Sequence, residues 1–230
     1  MRICYDVKRK LWAWMAAVVL LVSSGTVPME AYAAEIGTTV DNPVNIVFDR
    51  IYSKSWTKDT DHLYCYNKIV LPEQGIVTMN FSKPYDSEGE YGRLNIKIYD
   101  SRQNLVWDTN SWYSKESASS NYSFNVGLAK GEYYVLVKPA FYVISGNITT
   151  KYSFSFTPTE YCEVEPNEAA SSATLMKPNG MFYQGYIGEG DEVEDADFFK
   201  INLTAGEKYK MTFDNFSAIK ASTVLLYIYP

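Results

Sequence analysis

Residues 76–81 read IVTMNF and residues 93–99 read RLNIKIY, and the alternation inside them decides the fold class. Val77, Met79 and Phe81 fall on one side of the first stretch, Thr78 and Asn80 on the other. In the second, Leu94, Ile96 and Ile98 oppose Asn95 and Lys97. A strand turns successive side chains to opposite faces, so a period of two buries one face and wets the other. Three more segments repeat the pattern: Tyr122, Phe124 and Val126; Tyr133, Val135 and Val137; and Tyr152, Phe154 and Phe156. Turn residues separate them at Pro72-Glu73-Gln74-Gly75, Asp86-Ser87-Glu88-Gly89, Lys130-Gly131 and Ser145-Gly146-Asn147. Half-buried strands favour aromatic residues, and tyrosine and phenylalanine number 20 and 11 here. Short strands without crossover helices predict an all-β fold, an antiparallel β-sandwich of jelly-roll-like type.

The first 34 residues read differently. Lys8, Arg9 and Lys10 precede the apolar run Leu11–Val22, and Ala31-Tyr32-Ala33-Ala34 offers a small-residue cleavage site. The run is 12 residues long, short of the roughly 20 that a bilayer span needs. Residues 1–34 are therefore expected to be a signal peptide with a helical core, and the product to be secreted or held at the cell surface. No membrane span is expected after cleavage. The chain has 21 basic and 27 acidic residues, net −6, and losing the basic leader makes it more acidic. An acidic surface repels phosphate backbones, so nucleic acid is not an expected partner. Cys65 and Cys162 remain after cleavage; they either pair in an oxidising compartment or stay separate apolar thiols.

An internal repeat organises the rest. Asp59-Thr60-Asp61-His62-Leu63-Tyr64 resembles Asp195-Ala196-Asp197-Phe198-Phe199-Lys200. Val77–Phe81 resembles Tyr209–Phe213, and Ile96–Tyr99 resembles Leu226–Tyr229. The expected organisation is a first β-sandwich over residues 35–160 and a second over 161–230. In the first copy further strands follow Tyr99; in the second only Pro230 follows Tyr229, so the second copy is expected to be incomplete at its C-terminus.

Two acidic clusters flank the start of the second copy: EVEPNE at residues 163–168 and DEVEDAD at 191–197. Two readings stand at this point, convergence on a metal ion or solvated turns between strands. These clusters, with Gly185-Tyr186-Ile187 and Leu203–Tyr209, resemble the bacterial pre-peptidase C-terminal domain. That β-sandwich module accompanies secreted peptidases and is similar to the collagen-binding domain of clostridial collagenases. The resemblance covers nearly all the chain after the leader, more specifically in the second copy than in the first. It implies a calcium site, with Glu163, Glu165, Asn167 and Glu168 from the leading segment and Glu194 or Asp195, together with Asp197, from the later loop. Glu168 departs from the family, where a shorter side chain is usual. Calcium takes about six to eight hard oxygen ligands in adaptable geometry, which carboxylates from two segments suit.

Catalytic motifs are missing. His62 is the one histidine, and neither G-x-S-x-G nor H-E-x-x-H occurs. No enzyme activity is expected. Trp107, Trp112 and Tyr113 flank loops of the first copy, where aromatic rings either bind a ligand or cover a core edge. The functional expectation is an exported, non-catalytic module that binds an extracellular protein or polysaccharide, or acts as a spacer, with calcium as a stabilising ion. The alternatives are an accessory segment of a secreted peptidase or other hydrolase, and a small carboxylate-dependent hydrolase.

Overall fold

A computed structural model describes residues 37–56, 64–82, 94–109, 121–139, 148–186 and 196–212. Residues 1–36, the Asp59–His62 stretch, Trp112, Tyr113, Glu194, Asp195 and residues after 212 lie outside them.

Nine strands build the first unit: β1 (Val44–Asn45), β2 (Ile51–Trp56), β3 (Cys65–Leu71), β4 (Gly75–Phe81), β5 (Leu94–Asp100), β6 (Leu105–Asp108), β7 (Tyr122–Leu128), β8 (Gly131–Pro139) and β9 (Ile148–Pro158). They form a five-stranded sheet in the order β1-β3-β8-β5-β6 and a four-stranded sheet in the order β2-β9-β4-β7. Every pairing is antiparallel except β1 with β3, where Val44 aligns with Asn67. The described residues contain no helix. This is an all-β sandwich, as the period-two reading predicts.

The alternating faces of β4, β5 and β8 lie where their period sends them, and on β7 and β9 Val126, Tyr152 and Phe154 are buried while Phe124 and Phe156 are partly so. Val77, Met79 and Phe81 are buried, and so are Ile96, Ile98, Val135, Val137 and Phe154. They join residues of both sheets in one core. Rings carry much of the packing: Phe81 stacks on Tyr152 at 5.8 Å and meets Phe154 edge-on at 6.4 Å. Polar contacts also cross that core. Tyr152 Oη donates to Asn67 Oδ1 at 2.8 Å, and Asn67 Nδ2 donates to the carbonyls of Cys65 and Val135. Burial of Asn67 is thereby balanced by satisfied donors and an acceptor.

The later residues hold two short strands, β10 (Thr174–Met176) and β11 (Phe199–Ile201), paired in parallel with Thr174 against Phe199. The sequence pattern predicts a strand from Tyr209. Residues 209–212 form none, and Tyr209 and Met211 stay 41% and 48% exposed. Among the described residues they have no neighbouring ladder to join, and an alternating segment without a partner strand has nowhere to bury its apolar side.

Candidate metal centre

The segment from Tyr161 to Asn167 runs between the two parts and is tied to both. Thr159 N donates to the Gln74 carbonyl at 3.1 Å, and Glu165 N donates to the Gly127 carbonyl of β7 at 3.0 Å. On the other side Glu163 N donates to the Gln184 carbonyl at 2.8 Å, and Phe198 N to the Asn167 carbonyl at 2.9 Å. Thr174 Oγ1 of β10 accepts from Val164 N at 2.9 Å. The backbone is thus pinned at Glu163, Val164, Glu165 and Asn167, and a pinned backbone presents its side chains in fixed directions.

Two glycines permit this close passage. A Cβ on Gly127 would stand 1.9 Å from the Glu163 carbonyl oxygen, so the segment lies directly over β7 only because that residue has no side chain. A Cβ on Gly185 would come within 3.1 Å of Glu163 Oε2. Nothing in the alternation of β7 announces the first requirement. Gly185 falls within the quoted resemblance, but its spatial role needed the fold.

Held in this way, Glu163, Glu165 and Asp197 bring carboxylate oxygens within 4.8 Å of one another. Glu163 and Glu165 are buried, and Asp197 is partly so. Glu163 Oε1 accepts from Tyr186 N at 2.6 Å, and Glu165 Oε2 accepts from Asn167 N at 3.0 Å. The fully buried Asn167 amide sits between two of the acids. With its nitrogen toward them it donates to Glu165 Oε2 at 3.2 Å and Asp197 Oδ1 at 3.1 Å. With its carbonyl oxygen toward them, three oxygens from three residues converge instead.

Negative charge here reaches its neighbours. Burial, and then the Glu163 carboxylate, push the Tyr186 phenol above its usual range. Burial pushes the Cys162 thiol up, Gln74 partly offsets this by hydrogen bonding, and Glu163 adds to it.

Of the seven residues that the resemblance implies, the structure brings Glu163, Glu165, Asn167 and Asp197 together. Glu168 stays exposed and outside the converging group, because Asn167 has already turned inward and the next side chain points away. Glu194 and Asp195 lie outside the described residues. So do Trp112 and Tyr113, while Trp107 is half-buried with its ring edge-on to Phe124 at 5.8 Å, engaged in packing at the core's margin. Cys65 and Cys162 are both free, buried thiols rather than a bridge.

No known family profile matches the chain, and no curated protein does. Solved structures that resemble it include the pre-peptidase C-terminal domain of a collagenase from Bacillus anthracis. It is 11% identical, with 49% of this chain and 93% of that one covered, at a TM-score of 0.36. A ruminal GH26 endo-beta-1,4-mannanase is 17% identical over 56% of this chain and 24% of that one, at a TM-score of 0.29. Both superpositions are loose, and the fold class rests on the strand order and register given above. What those define is an all-β sandwich protein with a buried acidic cluster at the edge of its first unit.

Proposed function

We propose that the chain is a non-catalytic binding or spacer module of an exported protein, with a calcium ion stabilising the joint between its two parts. One observation carries the reading: Glu163, Glu165 and Asp197 converge around the buried Asn167 amide, on backbone pinned to both parts. Burying carboxylates side by side is unfavourable unless something offsets their repulsion and lost hydration. A hard dication does that, and carboxylate plus amide oxygens are its preferred donors. Glu163, Glu165 and Asp197 would hold the ion, with Asn167 Oδ1 as a neutral fourth donor after its amide turns over. Tyr186 N–H would go on orienting Glu163 through Oε1. The leader-like residues 1–34 support export, and a joint fixed at several backbone points suits a part that sets spacing or presents a surface.

The test is a thermal melt with calcium and with chelator. Calcium at 100 times its dissociation constant stabilises by about 2.7 kcal/mol, which raises the midpoint by roughly 5–10 °C for a unit of this size. Asp197→Ala should remove that gain. A chain that melts identically in calcium and in chelator has no such site.

A further inference from the structure

The outward face of the five-stranded sheet carries a cluster of tyrosines that takes no part in the acidic cluster. Its middle strands present Tyr66 from β3, Tyr134 from β8 and Tyr99 from β5, with Tyr64 just before β3. Registers place them in rows across the strands. Lys68 aligns with Tyr134 and Tyr134 with Tyr99, while in the next row Tyr66 aligns with Leu136 and Leu136 with Lys97. Neighbouring strands lie about 4.8 Å apart, so Tyr66 and Tyr99 are two strands and roughly 10 Å apart across the sheet.

These rings are held in place. Tyr64 and Tyr66 have ring centroids 6.2 Å apart. Lys138 Nζ lies 6.0 Å from the Tyr64 ring and Lys68 Nζ 5.9 Å from the Tyr134 ring. Tyr134 Oη donates to Glu132 Oε1 at 2.9 Å. Burial, and then the nearby Tyr99 and Tyr64 hydroxyls, push the Tyr66 phenol up, as a clustered set would. Solvent reaches the face most freely on its β3 side, where Tyr64 is 44% and Val70 57% exposed; Tyr66, Tyr99 and Tyr134 are partly exposed, and Leu136 between them is buried.

Charge selects among ligands. Lys68 pairs with Glu132 at 2.6 Å and Lys97 with Asp108 at 2.9 Å, so the charges of these two pairs balance, while Lys138 lies over the Tyr64 ring. Balanced charge favours neither a polyanion nor a polycation. The paired groups still offer many hydrogen-bond donors and acceptors beside flat rings. Backbone groups of the middle strands are spent on the ladder, so a peptide lying on this face finds no backbone partners there. We propose that this face is a platform for a neutral, extended polysaccharide, with Tyr66, Tyr99 and Tyr134 stacking on successive sugar rings.

This rests on the binding reading proposed above and names its ligand class and surface. The test is cosedimentation of the full chain with cellulose and chitin particles, with affinity electrophoresis in soluble β-glucan. Collagen fibrils and hyaluronan serve as comparison ligands. Retention on at least one neutral glycan is expected, with about a tenfold weakening in Y99A/Y134A and in Y66A. Both variants should keep the wild-type circular dichroism and calcium melt. Should the double variant unfold, Y66A alone decides. Undiminished glycan binding by Y66A and by the folded double variant overturns the platform. Binding to collagen or hyaluronan but to no neutral glycan overturns the ligand class and leaves the binding module standing. No retention on any ligand overturns platform and binding together, and leaves the spacer role to the calcium melt.

Discussion

Gly127→Ala tests how the acidic segment is held. The new Cβ would lie 1.9 Å from the Glu163 carbonyl oxygen and 3.0 Å from its carbon, both backbone atoms that no rotamer change can move. Ordinary contact begins near 3.4 Å, so the segment must retreat by about 1.5 Å. Such a retreat stretches the 3.0 Å bond from Glu165 N to the Gly127 carbonyl beyond hydrogen-bonding range. A lost backbone hydrogen bond costs about 0.5–1.5 kcal/mol, and forced overpacking a further 1–3 or so. Together these come to about 1.5–4.5 kcal/mol and lower the midpoint by roughly 3–18 °C. The same movement carries Glu163 and Glu165 away from Asp197, so calcium should no longer raise the midpoint. Differential scanning calorimetry with and without calcium reads both effects in one experiment. An alanine variant with the wild-type midpoint and an intact calcium response would refute the close passage over β7.

Two further outcomes follow from the buried titratable groups. Burial, the nearby Cys65 thiol and its hydrogen bond hold the Tyr152 phenol far above its ordinary value of 10.0. Burial likewise lifts Cys65 and Cys162 above 9.0. Groups with raised folded values contribute stability that is fully present below the unfolded value and is lost as pH climbs past it. The midpoint should therefore fall increasingly steeply above about pH 9. Y152F should flatten the part of that fall above pH 10, while losing about 1–2 kcal/mol at neutral pH through the missing bond to Asn67; equal alkaline slopes for both proteins would contradict this. The same burial shields the thiols, so Ellman's reagent at pH 8 should modify Cys65 and Cys162 only at the rate of unfolding, and rapid labelling of the folded chain would count against it.

Much of the first sandwich was legible because a half-buried strand writes its two faces into consecutive residues. Val77, Met79 and Phe81 needed only the pleat to be assigned inward. The parallel pairing of β1 was not legible, since two residues carry no period. Nor was Asn67 as a core residue: a polar side chain amid Cys65, Ile69 and Leu71 is acceptable because Tyr152, 85 residues later, and the Val135 carbonyl supply its partners. Trp107 shows the converse, an aromatic residue beside a loop whose ring turned inward to Phe124.

For the candidate site, residue types announced the chemistry and geometry chose the members. Acids at 163, 165 and 197 are visible in the sequence, but so is Glu168, which has the same chemistry and stays in solvent. Local pattern determines what each side chain can do and which way it points along its own strand, because those depend on near neighbours. Which carboxylates meet, and whether Gly127 leaves room for them, depends on atoms brought together from distant parts of the chain. Those contacts exist only once the sheets have packed.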